Sequence, residues 1–204
     1  MSTVLDAIEI APLVLRLQPS VDLTDDEFFE FCQINRDWRF ERTARGEVLI
    51  MAPEGGETGS RSSKLNRQLA TWAERDGAGV AFNSSTGFTL PNQAIRSPDV
   101  AWVPKARLRN LTPGQKEKFL PLCPDFVVEL LSPSDSLPAT KKKMEEYMEN
   151  GARLGWLIDP RRRHVYVYRP GTRVRRLDNP HTVAASPELP GFVLDLRDIW
   201  DPGF

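Results

Sequence analysis

Two carboxylates and one amine stand where they could do chemistry together: Asp99, Glu129 and Lys143. Glu129 lies inside Phe126-Val127-Val128-Glu129-Leu130-Leu131, a run of β-branched and large apolar residues closed by Ser132-Pro133. Such a run reads as a buried central strand. An ionised carboxylate there is costly unless it is paired or binds a metal. Asp99 opens a second apolar strand, Asp99-Val100-Ala101-Trp102-Val103, which Pro104 ends. Side chains alternate faces along a strand, so Asp125, Val127, Glu129 and Leu131 share one side, and Asp99, Ala101 and Val103 share one side of theirs. If the strands are neighbours, Asp99 and Glu129 converge. Two carboxylates about 4–6 Å apart, completed by a backbone carbonyl and waters, fit the hard-oxygen coordination of Mg²⁺ or Mn²⁺. Without a cation the two like charges would repel.

A positive group should complete such a site, and the segment after the central strand offers one. Ser134-Asp135-Ser136-Leu137-Pro138 signals a helix start, and Gly151 follows Asn150 as a stop. The helical period gives an inward stripe of Thr140, Lys143, Met144, Tyr147 and Gly151. Lys143 sits on that stripe or its edge, whereas Lys141 and Lys142 point elsewhere. An inward lysine near two carboxylates can orient or deprotonate a metal-assisted water, or hold a phosphate.

The remaining elements must position these groups. Thr24-Asp25-Asp26-Glu27 is a capping box that starts a helix carrying Phe28, Phe31 and Cys32 on one face. Trp38–Arg42 and Glu47–Met51 alternate and flank Ala44-Arg45-Gly46, which predicts a hairpin. Pro53–Gly59 is glycine-rich and leads into a helix from about Ser60 to Arg75, with Leu65, Leu69, Trp72 and Ala73 inward; it lacks the ending of a phosphate-cradling loop. Gly77 to Leu90 reads as a strand or broken hairpin. Residues 105–123 form a polar excursion with one short helix. Leu154–Ile158 and His164–Tyr168 are strands joined by the Asp159–Arg163 turn, and Arg173–Leu177 is one more. The apolar tail from Leu189 to Trp200 packs back on the domain. The order is mixed α and β, with a strand–helix–strand crossover from 126 to 158.

The chain has 204 residues, 40% hydrophobic and 27% charged, which suits one soluble domain with a sizeable core. Residues 1–19 read as an N-terminal arm, whose apolar stretch from Ile8 to Leu17, broken by Pro12, is a strand or a loosely packed segment. No apolar run is long enough to span a bilayer, and no secretory signal opens the chain. With two isolated cysteines, these features lead to the expectation of a cytoplasmic protein with free thiols. Two histidines all but exclude histidine-rich zinc sites. The net charge of −1 means that nucleic acid would be met through local patches.

Taken together, Ser97-Pro98-Asp99, then Pro124 through Asp135, then Lys143-Met144-Glu145-Glu146-Tyr147, then Gly151 through Pro160 resemble the Uma-type family of restriction endonucleases, within the PD-(D/E)xK nuclease superfamily. The resemblance covers roughly residues 20 to 200. It implies a restriction-endonuclease-like α/β core, a mixed central sheet flanked by helices, and divalent-metal phosphodiester hydrolysis. It carries Asp99 and Glu129 over as the motif's two acids. The superfamily's lysine, two residues after the second acid, is absent, because Leu131 stands there. The role passes to Lys143 on the following helix. The acid given by the first core helix is Glu57, or secondarily Glu54.

Each residue has a plainer reading as well. Asp99 could cap a turn after Pro98. Glu129 could form a buried salt bridge to an arginine. Lys143 could snorkel, and Glu57 could stabilise a helix start. Asp125 shares Glu129's face but ends the strand, and Tyr147, Trp156 and Trp102 read as core. The expectation is an endonuclease using Mg²⁺ or Mn²⁺ on nucleic acid, with DNA favoured and no membrane role. A homodimer follows by analogy with duplex cleavage. The alternatives are an inactive nucleic-acid-binding or interaction module on the same scaffold, and a hydrolase of another phosphate-containing substrate.

Overall fold

The computed structural model describes residues 13–18 and 20–203. The chain opens with strand β1 (Leu13–Leu15) and helix α1 (Asp25–Ile34), whose capping box is closed by Thr24 and Glu27. The expected hairpin follows as β2 (Arg39–Arg42) and β3 (Val48–Met51), antiparallel with Phe40 opposite Ile50. The long helix α2 (Gly56–Asp76) ends at Gly77, whose φ of +72° suits a residue without a Cβ. Next come β4 (Gly79–Asn83), β5 (Phe88–Thr89), β6 (Ile95–Arg96) and β7 (Val100–Pro104). Two short helices, α3 (Lys105–Leu108) and α4 (Pro113–Lys116), precede β8 (Phe126–Leu130). Helix α5 (Leu137–Glu149) crosses to β9 (Leu154–Asp159). The chain closes with β10 (His164–Tyr168), β11 (Arg175–Asp178), β12 (Thr182–Ala184), β13 (Val193–Asp195) and α6 (Arg197–Trp200).

A six-stranded mixed sheet, ordered β11-β10-β9-β8-β7-β4, forms the centre. Only β8 and β9 run parallel, since α5 carries the chain back between them; the other neighbours are antiparallel. Both faces are covered. On one, Leu65, Leu69 and Trp72 of α2 pack with Trp102, Phe126 and Trp156, and the tail adds Leu196, Ile199 and Trp200. On the other, Met144 and Tyr147 of α5 pack with Ala101, Val127 and Leu157. All five residues of β8 are buried, each large apolar side chain contributing about 1.5–3 kcal/mol. Helix α5 approaches closely at Gly155 of β9, where an added Cβ would stand 2.5 Å from the Met144 methyl carbon. A smaller sheet, β1-β3-β2-β6-β5, leans on α1 through Phe28, Phe40, Val48 and Ile95.

Several expectations need correcting. Helix α2 begins at Gly56, not near Ser60, so Glu57 lies in its first turn. The stretch from Gly77 to Leu90 is divided between sheets: β4 joins the large one and β5 the small one. The excursion at 105–123 holds two short helices. Of the expected N-terminal arm, residues 1–12 and 19 lie outside the described residues, and Leu13–Leu15 takes the strand reading, paired to β3. No helix among the described residues is long and apolar enough to cross a membrane.

Candidate active site

The acids converge because of strand register. Strands β7 and β8 pair with Val100 opposite Val128 and Ala101 opposite Val127. Continuing that register by one residue sets Asp99 opposite Glu129. Both belong to the alternation that faces α5, as Val127 and Ala101 do. The Leu130 backbone N–H donates to Asp99 Oδ2 at 2.7 Å, so the second strand holds the first strand's acid. Asp99 keeps part of its surface open, whereas Glu129 is 7% exposed.

Helix α5 delivers two groups to Glu129. Lys143 Nζ lies 2.9 Å from Glu129 Oε1, and the Tyr147 hydroxyl donates to the same oxygen at 2.9 Å. They are four residues apart, one helical turn, so both look at the same strand. Glu129 does form a buried salt bridge, to Lys143 rather than to an arginine. Tyr147 is core, as its period indicates, yet its hydroxyl belongs to the site.

A third element completes the cluster. Glu41 of β2, 1% exposed, accepts from Lys143 Nζ at 2.8 Å and from the Ser97 backbone N–H at 2.9 Å on Oε1. Its Oε2 accepts from Arg96 Nη1 at 3.2 Å, and Arg96 Nε donates to Glu146 at 2.6 Å. Neither Glu41 nor Arg96 stands out in the sequence. The available signal was an acid next to Phe40 in an alternating strand. Nothing local says that this hairpin folds over the other sheet.

The electrostatics follow from burial. Removal from water, then the charge of Glu129, pushes the Asp99 carboxyl up to about 8; the Leu130 N–H and Lys143 oppose this, and Glu54 adds to it. Burial also raises Glu129, against Lys143, with Glu41 adding to the rise. For Glu41, burial is outweighed by Lys143 and Arg96, and the carboxyl is held low. For Lys143, burial is outweighed by Glu129 and Glu41, so the amine stays an ammonium. Held between two carboxylates, Lys143 is a hydrogen-bond donor. A donor so placed can orient a water or hold a phosphate.

The first-helix acids separate. Glu57 is largely exposed and pairs with Arg61 at 2.9 Å, one turn along α2. Its charge does not figure among the influences on Asp99, whereas that of Glu54, in the loop before α2, does. Glu54 accepts from Ser62 Oγ at 3.2 Å and lies 3.8 Å from Arg39 Nη1. Of the two, Glu54 is the acid whose charge acts on Asp99. Asp125 ends its strand in an ion pair with Arg107 at 2.5 Å.

Among the described residues no three acids, histidines or cysteines form a closed metal cage. The donor set nonetheless fits a hard divalent cation. The linked cluster holds four carboxylates (Glu41, Asp99, Glu129 and Glu146) against two cations (Lys143 and Arg96), so its acids outnumber its cations. A divalent cation at Asp99 and Glu129 would relieve the burial and like-charge repulsion that raise both carboxyls. Asp99 Oδ1 and Glu129 Oε2 accept no hydrogen bond from the described residues, and a pair of carboxylates with several waters is the usual Mg²⁺ set.

A family model described as "Uma2: Putative restriction endonuclease" matches residues 25–197. The chain belongs to the Uma2 family. Asp99, Glu129, Lys143, Glu41 and Glu54 all lie inside the matched span. Among solved structures, the fold resembles a "putative nuclease belonging to DUF820" from Anabaena variabilis, with a TM-score of 0.72 over 88% of this chain and 98% of that one, at 22% identity. No curated protein matches. The Uma2 fold thus shows a mixed sheet flanked by helices, as expected for a restriction-endonuclease-like core.

Proposed function

We propose that this Uma2 protein is a divalent-metal-dependent endonuclease that hydrolyses phosphodiester bonds in DNA. The observation that carries this is the carboxylate pair Asp99–Glu129, set face to face by strand register within a cluster whose acids outnumber its cations. Asp99 and Glu129 would hold Mg²⁺ or Mn²⁺, which supplies a polarised phosphate and an acidified water. The Leu130 N–H fixes the Asp99 carboxylate, and the Tyr147 hydroxyl fixes Glu129. Lys143, kept as an ammonium, orients the attacking water or a non-bridging phosphate oxygen and offsets charge as it builds on phosphorus. Water adds to phosphorus, one P–O ester bond breaks, and the departing oxygen takes up a proton. Glu54 is the nearer candidate for a supporting water or second cation; Glu57 would serve only if its pairing with Arg61 opened.

The test is Mg²⁺- or Mn²⁺-dependent cleavage of duplex and single-stranded DNA by the purified protein. Asp99→Ala and Glu129→Ala should each lose cleavage by about a hundredfold or more. Variants that cut as well as wild type refute the assignment. A second reading, a non-cutting DNA-binding module, draws support from Leu131, which stands where the superfamily's lysine would be. DNA binding without Mn²⁺ binding at millimolar metal would favour it. Duplex cutting also suits a homodimer, checked by the mass in solution at micromolar concentration.

A further inference from the structure

We propose that Glu41 is a positioning residue that sets how tightly the Asp99–Glu129 pair holds a divalent cation, which rests on the metal-dependent reading above. Lys143 is shared: its Nζ is 2.8 Å from Glu41 Oε1 and 2.9 Å from Glu129 Oε1. An ammonium committed wholly to Glu129 would be a competitor for the carboxylate that must bind the cation. Glu41 draws off part of that charge, and it does so from a separate sheet, so its grip does not depend on the strands that carry the ligands. The same oxygen accepts from the Ser97 N–H at 2.9 Å, two residues before Asp99, and so holds the turn that presents the other acid. Arg96 anchors the far oxygen of Glu41 at 3.2 Å, and its own second partner, Glu146, lies one arginine further from the pair. Glu41 thus touches both halves of the site without facing the reacting atoms. Were it only an adhesive between sheets, its loss would lower stability and leave cation binding alone.

The experiment is calorimetric titration of the full chain with Mn²⁺, alongside thermal unfolding. Glu41→Gln keeps the acceptor for Ser97 but frees Lys143 to close on Glu129, and should weaken Mn²⁺ binding about tenfold. Glu146→Gln removes the same charge from the same cluster without touching Lys143, and should stay within about twofold of wild type. If Glu41→Gln does not fold, the Glu41→Gln/Lys143→Gln double variant decides, because it removes both charges of the pair together. It should bind Mn²⁺ as tightly as Lys143→Gln alone. Equal affinity of Glu41→Gln and wild type overturns the proposal, as does a double variant about tenfold weaker than Lys143→Gln. Equal weakening by Glu146→Gln overturns it too, since net charge alone would then be enough. A wild type that binds no Mn²⁺ overturns the metal-dependent reading along with it.

Discussion

Asp99→Asn should stabilise the metal-free protein near neutral pH, although it removes a residue of the site. Burial and Glu129 push the folded Asp99 carboxyl from its ordinary 3.8 to about 8. A folded value raised above the unfolded one means that stability is fully present below about pH 4 and is lost as pH rises toward 8. At about pH 7.5, ~1.4 kcal/mol for each pH step gives an upper bound of roughly 5 kcal/mol. Asp99 keeps some contact with solvent and the strands can relax, so about 1–3 kcal/mol is the realistic cost. The asparagine side chain would still accept from the Leu130 N–H, and its amide would donate toward Glu129 instead of repelling it. For a domain of this size, ~1 kcal/mol moves Tm by about 2–4 °C, so the variant should melt roughly 2–10 °C higher in EDTA at about pH 7.5. The gain should shrink as pH falls toward 5. Added Mg²⁺ or Mn²⁺ should raise wild type, by about 1.4 kcal/mol at tenfold over Kd, and leave the variant unmoved. Differential scanning fluorimetry with and without metal reads all of this. A variant that melts at or below wild type in EDTA refutes the idea of an uncompensated carboxylate pair held for a cation.

Three further outcomes follow from particular contacts. Tyr147→Phe removes the phenol that donates to Glu129 at 2.9 Å and should cost about 1–2 kcal/mol in urea unfolding while lowering Mn²⁺ affinity only a few-fold. Gly155→Val should push Met144 and with it α5 away from β9, cutting cleavage by about tenfold or more while the sheet persists by circular dichroism. Arg39 shares Glu41's face of β2, lies 3.8 Å from Glu54 and is partly exposed, so Arg39→Ala should weaken DNA binding and lower the salt-dependence slope by about 1, with Arg39→Lys restoring the slope.

The large sheet was legible because its strands carry apolar runs, and the 126–158 crossover because a capped helix separates two of them. The meeting of Asp99 with Glu129 followed from parity alone once the strands were taken as neighbours. The inward placement of Lys143 and Tyr147 followed from a spacing of four, but Tyr147 read as core and its bond to Glu129 did not follow. What stayed hidden depends on long-range placement. Glu41 lies 102 residues from Lys143, on a hairpin whose alternation announces only a half-buried strand. The choice between Glu54 and Glu57 turned on where α2 begins. A start at Gly56 puts Glu57 in the first turn, where Arg61 one turn later captures it, and leaves Glu54 in the preceding loop, where its charge adds to the rise of Asp99.

Long-range placement also bears on the missing lysine. On the strand itself, a lysine two residues after Glu129 would share its face and project from the strand end. From α5, Lys143 instead approaches Glu129 across the sheet–helix gap, where Met144 and Tyr147 are fully buried. A cation in so dry a place would bind its nearest carboxylate as a closed pair, and the site would then lose a ligand. Here the ammonium is shared with a second carboxylate, Glu41, which on the proposal above keeps Glu129 available. On the proposal above, Lys143 on the helix and Glu41 on the small sheet act as one unit. A chain of this arrangement with Lys143 but an apolar residue at position 41 should bind divalent cations poorly, whatever its Asp99 and Glu129 do.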